Sequence, residues 1–312
     1  MARPVVLVAN RFLLDQRAAW DDGYEIVGPE DAAGDLPISV ADRVEVIVTG
    51  GDALDTQLLQ RLPRLKLVAC FSTGYPGIDL AYLRSRGVVL TSAAGVNAHD
   101  VADHAIALLL AWWHGIPRAD RSVRAGSWKE GLSPRPSLRG RRAGIVGLGR
   151  IGSEIASRAE ALGLSVQWWG PREKPHAIYA RAESLVALAY ESDILFVASR
   201  ASPATAGQID AAVLQALGAE GLLVNVSRGL LVDEPALLSA LETRTIAGAA
   251  LDVFADEPPH EQIWNRFENV VLSPHIAGYT REAGIALFDQ LRENIRRYFA
   301  GEALLTPVED VS

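Results

Sequence analysis

One stretch constrains the fold of this chain more than any other: Arg142 to Gly152, reading RAGIVGLGRIG. Its opening, Ala143 to Gly147, suits a buried parallel strand, which ends on Gly147-Leu148-Gly149-Arg150-Ile151-Gly152 and leads into a helical run, Ser153 to Leu164. A further strand, Ser165 to Trp169, comes next, so the G-x-G-x-x-G pattern sits at the turn of a βαβ unit rather than anywhere among the chain's 27 glycines. Gly147 permits the tight turn, Gly149 admits a pyrophosphate close to the backbone, Gly152 lets helix and strand approach, and the helix N-terminus faces the phosphates. The alternative is a glycine-rich βα turn with no ligand. The ordered strand, turn, helix and strand favour a dinucleotide site.

Upstream, short apolar runs alternate with helical or polar pieces: Val5 to Val8, Tyr24 to Val27, Val44 to Val48, Leu65 to Phe71 and Val88 to Thr91 read as parallel strands. The amphipathic segments Leu54 to Leu62 and Ile78 to Arg86 supply the crossovers that a parallel sheet needs. A long apolar helix, Ala98 to Gly115, follows; acidic side chains in its HDVADH start complement the helix dipole, and Gly115-Ile116-Pro117 stops it. Its apolar surface is so wide that burial on several sides is expected, with Trp112 and Trp113 as packing aromatics. The segment Ala125 to Arg139 reads as a linker. After Trp169 come helix Ala182 to Tyr190, strand Asp193 to Ala198, helix Ala211 to Leu217, strand Gly221 to Asn225, helix Glu234 to Leu241, and strands Gly248 to Val253 and Asn269 to Leu272. A last helix, Glu282 to Ala300, is long enough to return to the first domain.

Core material is ample, since 49% of the 312 residues are hydrophobic. A net charge of −8 argues against nucleic acid or an anionic membrane as partner, because no basic excess offsets phosphate repulsion. With Cys70 as the single cysteine, an intrachain disulfide and a cysteine-based metal cluster are both excluded, and a reducing, cytoplasmic setting is expected. Cys70 lies in an apolar run and reads as a core residue. The start MARPVVLVAN is too short in apolar residues for a signal peptide, and no apolar run reaches membrane-spanning length.

In open α/β sheets, polar residues just past the strand ends face the ligand crevice. Three groups qualify. Asn225-Val226-Ser227-Arg228-Gly229 places a guanidinium where it can grip a carboxylate with two parallel donors. Asp252, within its strand, is followed by Asp256 and Glu257, any one of which also fits a solvated loop charge. Ser273-Pro274-His275-Ile276-Ala277-Gly278 sets His275 between a strand end and a glycine-bearing turn. Arginine, glutamate and histidine at neighbouring strand ends suit one chemistry: Arg228 holds an acid substrate, His275 moves a proton, and Glu257 sustains the protonated imidazole.

With these groups placed, the chain resembles the D-isomer-specific 2-hydroxyacid dehydrogenases, particularly the glyoxylate/hydroxypyruvate and hydroxyphenylpyruvate reductase branch. The resemblance runs through FSTGYPGID at Phe71 to Asp79, GVNAHDVADHAIALLLA at Gly95 to Ala111, SLRGRRAGIVGLGRIG, NVSRGLLVDEPAL, AALDVFADEPP and SPHIAGYT. It implies an α/β fold of two Rossmann-like or flavodoxin-like domains with doubly wound parallel sheets. The substrate domain takes residues 1–94 and 283–312, and a dinucleotide-binding domain at 95–282 is inserted into it. By the same resemblance Arg228, Glu257 and His275 are the catalytic set, Asp252 contacts the nicotinamide end of the cofactor, the amides around Thr73 and Gly74 meet the substrate carboxylate, and Arg228 and His275 also bind the substrate. Cofactor contacts are expected at Gly147, Leu148, Gly149, Arg150, Ile151, Gly152, Gly170, Pro171, Arg172, Ser199, Arg200, Val226, Ser227, Asp252 and Gly278. The implied activity is NAD(P)H-dependent reduction of a small 2-oxo acid, such as glyoxylate or hydroxypyruvate, to the D-2-hydroxy acid by a cytoplasmic homodimer without a metal. Domain closure over the substrate would exclude water.

The pattern departs from the family in places. Where a Pro-Leu-Thr run is common, this chain has Ser199-Arg200-Ala201-Ser202, and it ends at Ser312 without the regulatory domain of many phosphoglycerate dehydrogenases. A phosphoglycerate-type dehydrogenase and a non-catalytic nucleotide-sensing regulator are the alternatives. At the end of the second strand of the βαβ unit, Gly170 occupies the position where an NAD-specific site needs a carboxylate for the ribose hydroxyls. Arg172, aided by Lys174 or Arg200, offers charge to a 2′-phosphate, so NADP(H) is the expected cofactor, with NAD(H) also admitted. Two other arrangements would remove that preference: Glu173 turning inward as the missing acid, or Arg172 and Glu173 pairing at the surface.

Overall fold

A computed structural model describes residues 3–16, 23–28, 36–51, 54–75, 77–128 and 134–308. Pro76 of the Phe71 to Asp79 run, positions 129–133 of the linker and the extreme termini lie outside the described residues. The chain forms two compact units, Met1–Asn97 with Thr280–Ser312, and Ala98–Tyr279.

In the first unit the order is β1 (Val5–Val8), α1 (Arg11–Asp15), β2 (Glu25–Val27), α2 (Ile38–Ala41), β3 (Val44–Thr49), α3 (Thr56–Gln60), β4 (Leu67–Cys70), α4 (Leu80–Ser85) and β5 (Val89–Thr91). The strands form a parallel sheet in the order β2-β1-β3-β4-β5, one of the two common doubly wound arrangements. Side chains alternate across it: Val5 and Leu7 enter one core with Ile47 and Val68, whereas Val6 and Val8 enter the other with Val46 and Leu67.

The second unit comprises α5 (Ala98–His114), α6 (Ile116–Arg124), β6 (Arg142–Val146), α7 (Arg150–Ala161), β7 (Ser165–Trp169), β8 (Ala180–Arg181), α8 (Leu185–Tyr190), β9 (Ile194–Val197), α9 (Ala211–Leu217), β10 (Leu222–Asn225), α10 (Glu234–Glu242), β11 (Gly248–Leu251), α11 (Glu261–Trp264) and β12 (Val270–Leu272). The final helix, α12 (Arg281–Ala300), belongs to the first unit, where Leu291 and Ile295 pack in the core of Val6, Val8 and Leu67. Thr280 caps it, its side chain accepting from Ala283 N at 3.0 Å.

The second sheet is parallel, in the order β12-β11-β10-β9-β6-β7-β8. Ile145, Phe196 and Val224 lie abreast in register and face α5 and α7 with Trp168, while Val146, Val197 and Leu223 face α8, α9 and α10. Both faces are dry, which is why these strands read as continuous apolar runs. Burying each large side chain contributes roughly 1.5–3 kcal/mol. The strand order reverses between β6 and β9, so the fingerprint turn after β6 opens at the switch point where such sheets bind ligands.

Several elements differ from the sequence reading. Gly115 does end α5, in a left-handed conformation at φ 61°, and it also caps α6, a helix outside the sequence expectations that starts at Ile116 with Pro117 in its first turn. Proline in a first turn gives up an amide that has no helical partner. The edge strand β8 and the short α1, α2 and α11 are too brief to carry a period. Strand β11 stops at Leu251, so Asp252 stands just beyond the sheet and not within the strand.

Candidate active site

The fingerprint turn is shaped as its glycines demand. Gly147 adopts φ 92°, and a Cβ there would fall 2.5 Å from the Cα of Ser199. A Cβ on Gly152 would overlap the carbonyl of Gly147, whereas one on Gly149 would enter open space with nothing within 4 Å. Gly149 is also the N-cap of α7 and has no side chain to close that end. A cradle that only a missing Cβ leaves open, beside a helix N-terminus, fits a dinucleotide pyrophosphate.

The neighbouring strand ends are tied into this turn. The Ser227 hydroxyl donates to the Ser199 carbonyl at 2.6 Å, and Gln208 Nε2 donates to Ser199 Oγ at 2.6 Å. Asn225, 1% exposed, folds the β10 turn by accepting from Ser227 N and donating to the Arg228 carbonyl. Val226 is buried beneath it. Arg228 is half-buried; burial lowers its pKa, opposed by the charge of Glu257.

Glu257 links the set. One of its oxygens lies 2.6 Å from His275 Nδ1, and the other accepts from Phe254 N at 3.1 Å. His275 has φ 55°, rare for a residue with a Cβ, and its amide donates to the Asp252 carbonyl at 2.8 Å. The Asp252 carboxylate is fully enclosed. Burial pushes its pKa up, but hydrogen bonds from His104, Ser273, Ile276 N and Ala277 N outweigh it and hold the group at about 2. Asp252 thus fastens the loop that carries His275 and runs on to Gly278.

At the end of β7, Gly170 is buried, and a Cβ there would lie 3.3 Å from the ring of Trp168. Packing of that tryptophan is therefore a reason for glycine that the sequence reading did not include. Pro171 and Arg172 are exposed, and Arg172 has no ion pair among the described residues. Glu173 turns to Arg181 at 4.0 Å, neither pairing with Arg172 nor folding inward. Arg181 itself donates to the Gly170 carbonyl at 2.8 Å. The Lys174 ammonium donates to the carbonyl of Leu148, inside the fingerprint.

Thr73 and Gly74 belong to the first unit, in the loop after β4, where the Ser72 hydroxyl donates to the Gly74 carbonyl. Cys70 is buried next to them, as a core residue. Trp112 and Trp113 pack as expected, each donating its indole N–H to a carbonyl, of Asn269 at 2.8 Å and of Pro136 at 3.0 Å. Two polar residues at the centre were missed. His104, on α5, meets Ser273 Oγ at 2.8 Å, and the Ser273 hydroxyl donates to Asp252 at 2.5 Å. The available signal was helical spacing, since His104 shares a stripe with the buried Val101, Ala105 and Leu108. Among the described residues no group of three or more His, Cys, Asp or Glu is placed to hold a metal ion, and no helix is long and apolar enough to cross a membrane.

The model of the D-isomer specific 2-hydroxyacid dehydrogenase NAD binding domain matches residues 106–277. The chain is 40% identical over 264 residues to glyoxylate/hydroxypyruvate reductase A of Arabidopsis thaliana, a match covering 84% of each protein. It is 40% identical over 270 residues to hydroxyphenylpyruvate reductase of Plectranthus scutellarioides, covering 86% of each. Among solved structures, the NADPH-dependent glyoxylate/hydroxypyruvate reductase of Sinorhizobium meliloti in complex with NADP and malonate is similar, with a TM-score of 0.88 and 37% identity, covering 98% of this chain and 97% of that one. These similarities settle the kinship: the chain belongs to the D-isomer-specific 2-hydroxyacid dehydrogenases and is an NAD(P)-dependent enzyme that reduces 2-oxo acids to 2-hydroxy acids.

Proposed function

We propose that this enzyme reduces a small 2-oxo acid of the glyoxylate or hydroxypyruvate kind to the D-2-hydroxy acid, with NADPH preferred over NADH, as a cytoplasmic homodimer. The observation that carries the reading is the 2.6 Å contact between Glu257 and His275, with Arg228 close enough to feel the Glu257 charge. A bound nicotinamide supplies the hydride. Arg228 binds the substrate carboxylate and polarises the oxo group. His275, protonated at Nδ1 against Glu257, donates the proton on its other ring nitrogen to the oxygen as it gains charge. Asp252 keeps the histidine loop in place by accepting from Ile276 N and Ala277 N. The substrate-domain role of residues 1–94 and 283–312, the cofactor-domain role of 95–282, and the contribution of the Thr73 and Gly74 amides rest on the family resemblance alone. So does the dimer, while the cytoplasmic location rests on the single cysteine, Cys70. The non-catalytic regulator and the phosphoglycerate-type dehydrogenase are not favoured, because relatives 40% identical to this chain are a glyoxylate/hydroxypyruvate reductase and a hydroxyphenylpyruvate reductase.

Support for NADPH comes from the β7 end. Gly170 leaves no carboxylate for the ribose, Glu173 is turned to Arg181, Arg172 is exposed without an ion pair among the described residues, and Lys174 sits against the fingerprint. A 2′-phosphate is better served there than a bare hydroxyl. The test is cofactor oxidation with glyoxylate, hydroxypyruvate, pyruvate, phenylpyruvate and hydroxyphenylpyruvate, each with NADPH and NADH, before and after Arg172→Ala. Turnover with the small acids and a higher efficiency with NADPH, lowered by the substitution, are expected. Efficiency higher with NADH removes the cofactor preference, and no turnover with any 2-oxo acid removes the substrate reading.

A further inference from the structure

His104 lies outside the Arg228, Glu257 and His275 set, yet it reaches the same loop from a different element. Its Nε2 is 2.8 Å from Ser273 Oγ and 3.3 Å from an Asp252 oxygen, and its side chain is 22% exposed. The hydrogen positions follow from counting. A serine hydroxyl has one proton, and Ser273 commits it to Asp252 at 2.5 Å. Toward His104 the Ser273 oxygen is therefore an acceptor, and Nε2 must carry the hydrogen. The Asp252 carboxylate accepts in turn from Ile276 N at 3.0 Å and Ala277 N at 2.9 Å, while the Asp252 carbonyl accepts from His275 N at 2.8 Å. These amides belong to the loop in which His275 is held at φ 55°, a conformation that persists only where its surroundings enforce it.

We propose that His104 is a positioning residue for the reaction: its Nε2 hydrogen orients Ser273, which with Asp252 fixes the 275–277 backbone and so the direction in which the His275 ring presents its proton. The proposal rests on the reading of His275 as proton donor. If His104 served only as helix packing, an apolar residue of similar size would replace it without loss. A hydrogen-bonded network instead acts as a unit, so removing either His104 or Ser273 disables the same device.

The experiment is a double-mutant cycle of His104→Leu and Ser273→Ala, with His104→Gln as the conservative variant that keeps an N–H donor. The expected result is a fall in kcat of about tenfold for His104→Leu, with cofactor affinity and substrate KM within about twofold. Recovery of most of that rate is expected in His104→Gln, with no further loss when His104→Leu is added to Ser273→Ala. An unchanged kcat in His104→Leu, a glutamine no better than leucine, losses that multiply, or a matching loss of cofactor affinity overturns the proposal. Ser273→Ala, the smaller change, carries the test if His104→Leu does not fold. Amide hydrogen exchange at 275–277 reads the device without turnover: it should speed up in His104→Leu and Ser273→Ala and return toward wild type in His104→Gln. Unchanged exchange overturns the proposal even if the wild-type enzyme reduces none of the tested acids, an outcome that would itself refute the substrate reading.

Discussion

Glu257 holds His275 by one ring nitrogen, Oε2 to Nδ1 at 2.6 Å, and the other ring nitrogen has no partner among the described residues. That contact selects the orientation of the ring and leaves its other nitrogen turned away from the carboxylate. Glu257→Gln keeps the size and loses the charge. Its kcat for 2-oxo acid reduction should fall roughly 10–100-fold, with cofactor affinity unchanged. Steady-state kinetics beside a cofactor titration measures both.

Arg228 is half-buried at a strand end, where a planar fork of donors matches a carboxylate. Arg228→Lys retains the charge and loses the fork. Both KM for the acid and kcat should worsen, each by about tenfold or more. Wild-type kinetics in this variant would place the carboxylate elsewhere, with the Thr73 and Gly74 amides as the next candidates.

Two fingerprint glycines should separate binding from stability. A Cβ on Gly152 meets the Gly147 carbonyl, so Gly152→Ala should cost about 1–3 kcal/mol of stability by forcing α7 away from β6. A Cβ on Gly149 meets nothing in the protein, so Gly149→Ala should melt within a few degrees of wild type and still bind cofactor about tenfold more weakly. Thermal melts and cofactor titrations of both variants check the contrast.

Asp252 predicts an acid-dependent weakness. Its carboxyl is held at about 2, below the ordinary carboxylate range, so above about pH 5 it is ionised in folded and unfolded chains alike and its contribution is complete. As pH falls from about 5 toward 2 the unfolded chain takes up the proton first, and about 2 kcal/mol of stability is lost. In Asp252→Asn that part of the acid sensitivity should be absent, with lower stability at neutral pH. Urea unfolding of both proteins across this range measures it.

How much of this was legible depends on whether the cause is local. The strand, turn and helix around Gly147 to Gly152 are written in adjacent residues, as is the placing of Arg228, Glu257 and His275 at successive strand ends. The pairing of Glu257 with His275 follows from two loops meeting beside one sheet edge, which parallel order makes foreseeable. His104 and Ser273 are 169 positions apart, and nothing local in either announces the contact. Gly170 stands where an NAD-specific site needs a carboxylate, yet a Cβ there would lie 3.3 Å from the Trp168 ring, two residues back on the same side of the chain. Pro117 follows the end of α5 and also lies in the first turn of α6, because its missing N–H and ring clash are costly only inside a helix and its fixed φ suits a first turn.

The most direct measurement compares NADPH-dependent reduction of glyoxylate and hydroxypyruvate by the wild-type enzyme and by His275→Ala, with cofactor affinity measured in parallel. If His275 delivers the proton, the variant binds NADPH as the wild type does and turns over ~10²–10⁴-fold more slowly. Near-normal turnover in the variant, with cofactor bound equally well, would contradict the assignment of His275 as the proton donor.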